Sequence, residues 1–159
     1  MNHINKVENN THEIKIEKIV STERLLQCAE ILIEAYKGEP WFDSWTQESA
    51  KAILTYHYQT PKFMGWVATS SCGVAGCCIG NIEPHYTGRN FILKELFISP
   101  KSQKRGVGKK LLAAMKKDLE VNGVKTVLLF TKKAISDFYI KSGFSEVKGM
   151  GMMIYAKNE

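Results

Sequence analysis

Apolar and charged residues alternate from Ile14 to Ile19, the period-two pattern of a half-buried strand. Ser21 or Thr22 can cap a helix running to about Tyr36, in which Leu25, Cys28, Ala29, Leu32 and Tyr36 share one face. Gly38, Pro40 and the aromatic cluster Trp41, Phe42, Trp45 interrupt that pattern, and Thr46 can cap a second helix to about Tyr58. Phe63 to Thr69 and Val74 to Asn81 read as strands around a Ser70-Ser71-Cys72-Gly73 turn, and Phe91 to Ile98 as a third. Lys109 to Asn122 sets Leu111, Leu112, Met115 and Leu119 at helical spacing, stopped by Asn122-Gly123. Val124 to Phe130 reads as a buried strand, Ile135 to Ser142 as a helix ended by Gly143, and a last strand or hairpin reaches Ala156. Meander strands followed by alternating helices and strands predict an α/β fold with a mixed sheet and helices on both faces.

The chain has 159 residues, 44% of them hydrophobic, which fits one globular domain. We expect a loose, polar arm over residues 1–13 and a single domain over residues 14–159. No apolar run approaches the roughly 20 residues of a membrane span, and the polar N-terminus lacks the apolar core of a secretory signal. Both point to a cytoplasmic protein with no membrane partner. Cys28, Cys72, Cys77 and Cys78 are too irregularly spaced for a disulfide framework and read as small hydrophobes. The adjacent pair Cys77 and Cys78 should point to opposite sheet faces. None of His3, His12, His57 and His85 has a second ligand at helical spacing, so no metal is assigned.

Charge is unevenly placed. The formal net charge is +6, and seven of the 22 basic residues lie between Lys101 and Lys117, a stretch without Asp or Glu. Within it, the strand ending at Ile98 empties into Ser99-Pro100-Lys101-Ser102-Gln103-Lys104-Arg105-Gly106-Val107-Gly108-Lys109, which opens an amphipathic helix. Glycines at 106 and 108 let backbone approach an anion, and the first helical N–H groups point at it, so the turn favours a phosphate or pyrophosphate. Helix N-termini with solvated lysines are common, so the turn alone leaves that plain reading open. A P-loop would need glycine at Gln103 and a hydroxyl at Lys110. Nucleic acid is disfavoured, because no Phe, Tyr or Trp interleaves the charge from Ile98 through Leu129.

These segments resemble the GCN5-related N-acetyltransferase superfamily. Gln103, Gly106 and Gly108 match its acetyl-CoA motif, Leu96, Ile98 and Pro100 match the strand before it, and Phe138-Tyr139-Ile140-Lys141-Ser142-Gly143-Phe144 matches a second signature. The resemblance spans Ile14 to Ala156. It implies a mostly antiparallel sheet of about six to seven strands, and acetyl-CoA as acetyl donor. It further implies that Leu96, Phe97 and Ile98 pair with the pantetheine arm and that N–H groups of Lys104, Arg105, Gly106, Val107, Gly108 and Lys109 hold the pyrophosphate. Tyr139 would sit beside the sulfur and protonate the leaving thiolate; a tyrosine packed beside Ile135 is the plain alternative. Lys132 and Lys133 depart from the family's usual residues there, and Ser136 is a substitute hydroxyl partner.

An amine acceptor must lose a proton as it attacks. Glu95 is the candidate base, because alternation places it on the strand face of Phe91, Leu93 and Phe97, where partial desolvation would favour proton uptake. A water chain and a paired structural carboxylate are the alternatives, and Glu83 is a weaker candidate. Gly38 to Trp45 falls where the resemblance puts the acceptor pocket. Glu39, Trp41, Phe42 and Asp43 would suit a small-molecule amine held by stacking and charge; an aromatic plug between the helices is the alternative. Three functions are consistent with the sequence: acetyl transfer to a small amine, acetylation of a protein N-terminus or lysine, and acetyl-CoA sensing without turnover. Family members are often dimers, so the resemblance also allows a homodimer.

Overall fold

The computed structural model of the chain describes residues 13–157, and all but the last residue of the arm expected over residues 1–13 lies outside them. Five strands form one sheet: β1 (Lys15–Lys18), β2 (Phe63–Ser70), β3 (Gly73–His85), β4 (Gly88–Ile98) and β5 (Thr126–Leu128). They lie side by side in chain order, antiparallel except for the parallel β4–β5 pair.

The helical segment expected to run from Ser21 to Tyr36 is two helices, α1 (Thr22–Leu26) and α2 (Ala29–Lys37). The chain tightens between them, with the Cys28 N–H donating to Leu25 O, three residues back. Ser21 caps α1 by accepting from the Arg24 N–H. Thr46 caps α3 (Gln47–Gln59) through a reciprocal pair of bonds with Ser49. Gly106, in the left-handed region at φ 78°, is the N-cap of α4 (Val107–Val121), and α5 covers Ser136–Lys141.

Each sheet face has its own core. Val67, Cys77, Ile79 and Phe97 pack under α1, α2 and α3 with Leu25, Leu32 and Leu54. On the other face Trp66, Cys78, Phe91 and Leu93 pack under α4 with Leu111, Leu112 and Met115, joined by Tyr139 from α5. Cys77 and Cys78 do point to opposite faces.

Two departures from the expected pattern matter for function. In the β3–β4 ladder Ile79 stands opposite Glu95, but Gly80 stands opposite Leu93, so Lys94 is an extra residue on β4. This β-bulge inverts the alternation beyond it. Phe91 and Leu93 therefore belong to the α4 face and Phe97 to the α1–α3 face, where Glu95 meets Tyr36 and His57. Glu95 keeps company with Phe97 as expected, but not with Phe91 and Leu93. Gly80 makes the bulge sterically feasible, because a Cβ there would lie 2.1 Å from Ile92 O and 2.6 Å from Phe91 Cζ.

The second departure is the sheet's far edge. The run expected as a strand from Val124 to Phe130 pairs only at Thr126–Leu128, opposite Asn90–Ile92, and Phe130 is exposed. Beyond Ile92 the bulge carries β4 away, so β5 loses its partner. The six to seven strands implied by the family resemblance are five among the described residues. The last strand, expected to reach Ala156, does not form: Gly149 at φ 77° turns the chain, and Met150, Met152, Met153, Ile154 and Tyr155 are exposed.

Replacing Gly80 by alanine should cost roughly 2–3 kcal/mol, the scale of overpacking against backbone that cannot yield, measurable as a lower urea midpoint at unchanged slope. An unaltered midpoint would mean that the bulge does not need a bare backbone at position 80.

Candidate active site

Where β4 and β5 part, the two faces of the sheet communicate through a cavity of about 180 Å³. Its floor is β4 from Leu93 to Leu96, and one wall is the chain after β5, Leu129 to Thr131. The α1–α3 side contributes Tyr36, Trp41, Asp43 and Trp45, and the α5 side contributes Tyr139. Glu95 and Tyr139, which belong to opposite sides of the sheet, thus face the same space.

Glu95 is held on both carboxylate oxygens. The Tyr36 hydroxyl donates to Oε2 at 2.6 Å, and His57 Nε2 lies 3.5 Å from Oε1. Burial, the Glu95 charge and the hydrogen bond to that carboxylate together push the Tyr36 phenol well above its ordinary range, so it remains a donor. Tyr139 is also buried, and loss of solvation is the main reason its phenol is raised; charge at Cys78 and Glu95 adds to it. A phenol so placed stays protonated at neutral pH and can donate a hydrogen bond to developing negative charge.

Tyr139 is placed by its own motif. Gly143, at φ 88°, ends α5 and lets the Phe144 N–H return to Tyr139 O at 3.0 Å. The Phe144 ring then packs edge-on against Tyr139 at 5.6 Å, with the Phe138 ring on another side at 5.1 Å. Phe138 in turn fills the space at Gly108, where a Cβ would meet its ring at 2.9 Å. Gly108 therefore serves helix packing: it lets α5 close on the start of α4.

The basic turn has the shape of an anion cradle. Lys104 at φ 60° and Gly106 at φ 78° curl the backbone ahead of α4, the type of conformation that turns N–H groups toward one concave side. The first N–H groups of a helix have no intrahelical partner. Lys101, Lys104, Arg105, Lys109 and Lys110 are all exposed around them. Gln103 fastens the turn to the strand, its Nε2 donating to Ile98 O at 3.3 Å. Between this turn and the cavity, β4 from Leu93 to Ile98 has no β5 partner.

Of the residues read from sequence as the acceptor site, Trp41 and Asp43 line the cavity. Glu39 is exposed outside it, and Phe42, at φ 55°, is turned to solvent. Glu83 lies away from the cavity, paired with Lys94 at 3.9 Å and with Asn81. The Ser136 hydroxyl donates to Lys133 O at 2.8 Å, closing the turn before α5. Sequence reasoning passed over four residues that shape the site. Tyr36 read as a member of a helical stripe, His57 only as a histidine lacking a second metal ligand, and Trp45 as part of a cluster. Lys132 reaches across the mouth to Pro40 O at 2.7 Å and Trp41 O at 3.2 Å, over the Trp41 ring. Among the described residues no group of three or more His, Cys, Asp and Glu could hold a metal ion, and no helix is long and apolar enough to cross a membrane.

A family model described as an acetyltransferase (GNAT) domain matches residues 61–146, more than half of the chain. No curated protein matches the sequence. Among solved structures, an aminoglycoside acetyltransferase from an uncultured soil metagenomic sample, in complex with sisomicin, superposes with a TM-score of 0.70 at 18% identity, covering 91% of this chain and 97% of its own. The aminoglycoside N-acetyltransferase AAC(6')-Iy in complex with CoA gives 0.72 at 17% identity, covering 94% and 97%. Glucosamine-6-phosphate N-acetyltransferase from Arabidopsis thaliana gives 0.68 at 20% identity, covering 91% and 99%. At these identities the likeness is one of fold.

The raised phenol is directly measurable. Wild type and Tyr139→Phe should give superimposable ultraviolet tyrosinate titrations up to about pH 11, because the buried phenol does not ionise in that range. A step near pH 10 present in wild type and missing from the variant would show an ordinary, solvated tyrosine.

Proposed function

Because the chain belongs to the GNAT acetyltransferase family, we propose that it transfers an acetyl group from acetyl-CoA to the primary amine of a small molecule, by direct attack with both substrates bound. The observation that carries this reading is the shared cavity: a carboxylate and a protonated phenol from opposite sides of the sheet meet beside the unpaired stretch of β4.

The residues divide the work. N–H groups from Lys104 to Lys109, with the surrounding lysines and Arg105, hold the pyrophosphate, and the helix dipole of α4 favours its charge. Backbone groups of Leu96, Phe97 and Ile98 offer an extended arm the hydrogen bonds that β5 does not take. The thioester is thereby led toward Glu95 and Tyr139. Trp41 and Trp45 stack on the acceptor, and Asp43 and Glu95 draw its ammonium group. The ammonium gives one proton to Glu95. The free amine attacks the carbonyl carbon, the new C–N bond forms, the C–S bond breaks, and the nitrogen releases its second proton to solvent as the amide forms. Tyr139 donates a hydrogen bond to sulfur as charge develops. Its raised phenol is a poor acid, so its contribution is charge stabilisation, and the thiolate takes its final proton from solvent. Holding both reactants in one cleft supplies orientation as well.

The compounds for which these neighbours are named, an aminoglycoside and glucosamine 6-phosphate, are small amines and support this choice. So do the indole walls, which would crowd a polypeptide. A homodimer and a cytoplasmic setting are compatible with this function and belong to the same proposal.

A thiol-release assay across polyamines, aminoglycosides, amino sugars and a lysine peptide tests it. The expected outcome is turnover on a small amine, with Tyr139→Phe lowering kcat about 100-fold while the acetyl-CoA concentration for half-saturation changes little. Turnover on the peptide alone would overturn the small-molecule assignment. Acetyl-CoA binding with no turnover on any amine would identify a sensor.

A further inference from the structure

The buried stripe of α3 runs Ala50, Leu54, His57, so His57 occupies a position that an apolar side chain would normally fill. It is 8% exposed, and its Nδ1 is buried without a hydrogen-bond partner. Burying a polar group in that way costs free energy. Its other ring nitrogen, Nε2, lies 3.5 Å from Glu95 Oε1. With the Tyr36 hydroxyl on Oε2, α2 and α3 each present one polar group to the same carboxylate, and both groups interrupt otherwise apolar helix faces.

We propose that His57 is a positioning residue for Glu95, which together with Tyr36 fixes the carboxylate in the cavity and keeps it in its charged, proton-accepting form. An imidazole carrying a hydrogen on Nε2 does this, and Nδ1 is then the unpartnered ring nitrogen. A hydrogen bond on one oxygen and an imidazole nitrogen 3.5 Å from the other restrict rotation of the carboxylate and favour its ionised state over the protonated one. Glu95 also lines the cavity proposed for the acceptor. The other titratable groups near Glu95 are Cys77 from β3, Tyr139 from α5, Asp43 across the cavity and its own neighbour Lys94. Of these only Lys94 is a cation, and its ammonium is engaged with Glu83. The groups from α2 and α3 are therefore the polar side chains placed against its two oxygens. The proposal rests on Glu95 serving as the proton acceptor only for its kinetic consequence; the effect on the carboxylate itself stands on the geometry.

The test follows the Glu95 side-chain carboxyl carbon by NMR in protein labelled with ¹³C-glutamate, the resonance being assigned with Glu95→Gln. In His57→Leu, which suits the apolar stripe and keeps the fold, the midpoint of the Glu95 titration should move up by about one pH unit, a tenfold change in proton affinity. In His57→Gln, whose amide reaches the Nε2 position, it should stay close to wild type. A midpoint unmoved in His57→Leu would overturn the proposal whether or not the protein acetylates any amine tested. In the acetylation assay, the acid limb of kcat/KM should shift upward in parallel for His57→Leu and return for His57→Gln, with the acetyl-CoA dependence unaltered. A kinetic loss in His57→Leu equal at every pH and not restored by His57→Gln would assign His57 to packing alone.

Discussion

One extra residue in one strand organises this molecule. Lys94 has no opposite number on β3, and beyond it every side chain of β4 changes face. Without that insertion Glu95 would point under α4 and Phe97 with it, and β4 could continue pairing with β5. With it, β4 leaves β5 after three residue pairs and the sheet divides. A sheet normally separates the chemistry on its two faces, because a continuous ladder admits no side chain through it. Here the division joins them, which is why a residue from α5 and a residue held by α2 and α3 line the same cavity.

The electrostatics of the cleft run along its length. The chain carries a net charge of +6, and the turn ahead of α4 concentrates that excess where helical N–H groups already attract anions. The cavity is lined by Asp43 and Glu95, held among aromatic rings. On the proposed function, an anionic donor and a cationic acceptor would be drawn to opposite ends of the cleft, a few residues of β4 apart. Phenols at Tyr36 and Tyr139 stay neutral because burial penalises their charge. Polar groups attend both oxygens of the Glu95 carboxylate.

Much of the scaffold is legible in the sequence. Strand alternation from Ile14, the capping residues Ser21 and Thr46, the stripe Leu111, Leu112, Met115, Leu119 and the glycine stops at 123 and 143 are local signals. The structure reads them as written. The turn around Gly106 and the segment Phe138 to Phe144 also announce themselves by spacing. What the sequence hides is non-local. A bulge at Lys94 is decided by the close approach of Gly80 to Ile92 and Phe91, residues that the chain separates by a full hairpin, so alternation alone misplaces Glu95 relative to Phe91 and Leu93. Tyr36 and His57 look like core positions because they are core positions. Only the sheet brings their polar atoms onto one carboxylate. The single clue was a histidine where α3 calls for an apolar residue. The expected last strand failed for a related reason: a hydrophobic run makes a strand only where a ladder waits for it, and β5 is too short to offer one.

On the proposed function, the turn ahead of α4 and the unpaired stretch of β4 form one binding surface for acetyl-CoA. Thermal melting with acetyl-CoA, CoA and inorganic phosphate at equal ionic strength tests it most directly. The account predicts a rise of a few degrees with either CoA ligand at about 100 times its Kd, corresponding to roughly 2.7 kcal/mol, and little change with phosphate. An equal rise with phosphate would reduce the site to an anion cradle, and no rise with any of the three would contradict the claim outright.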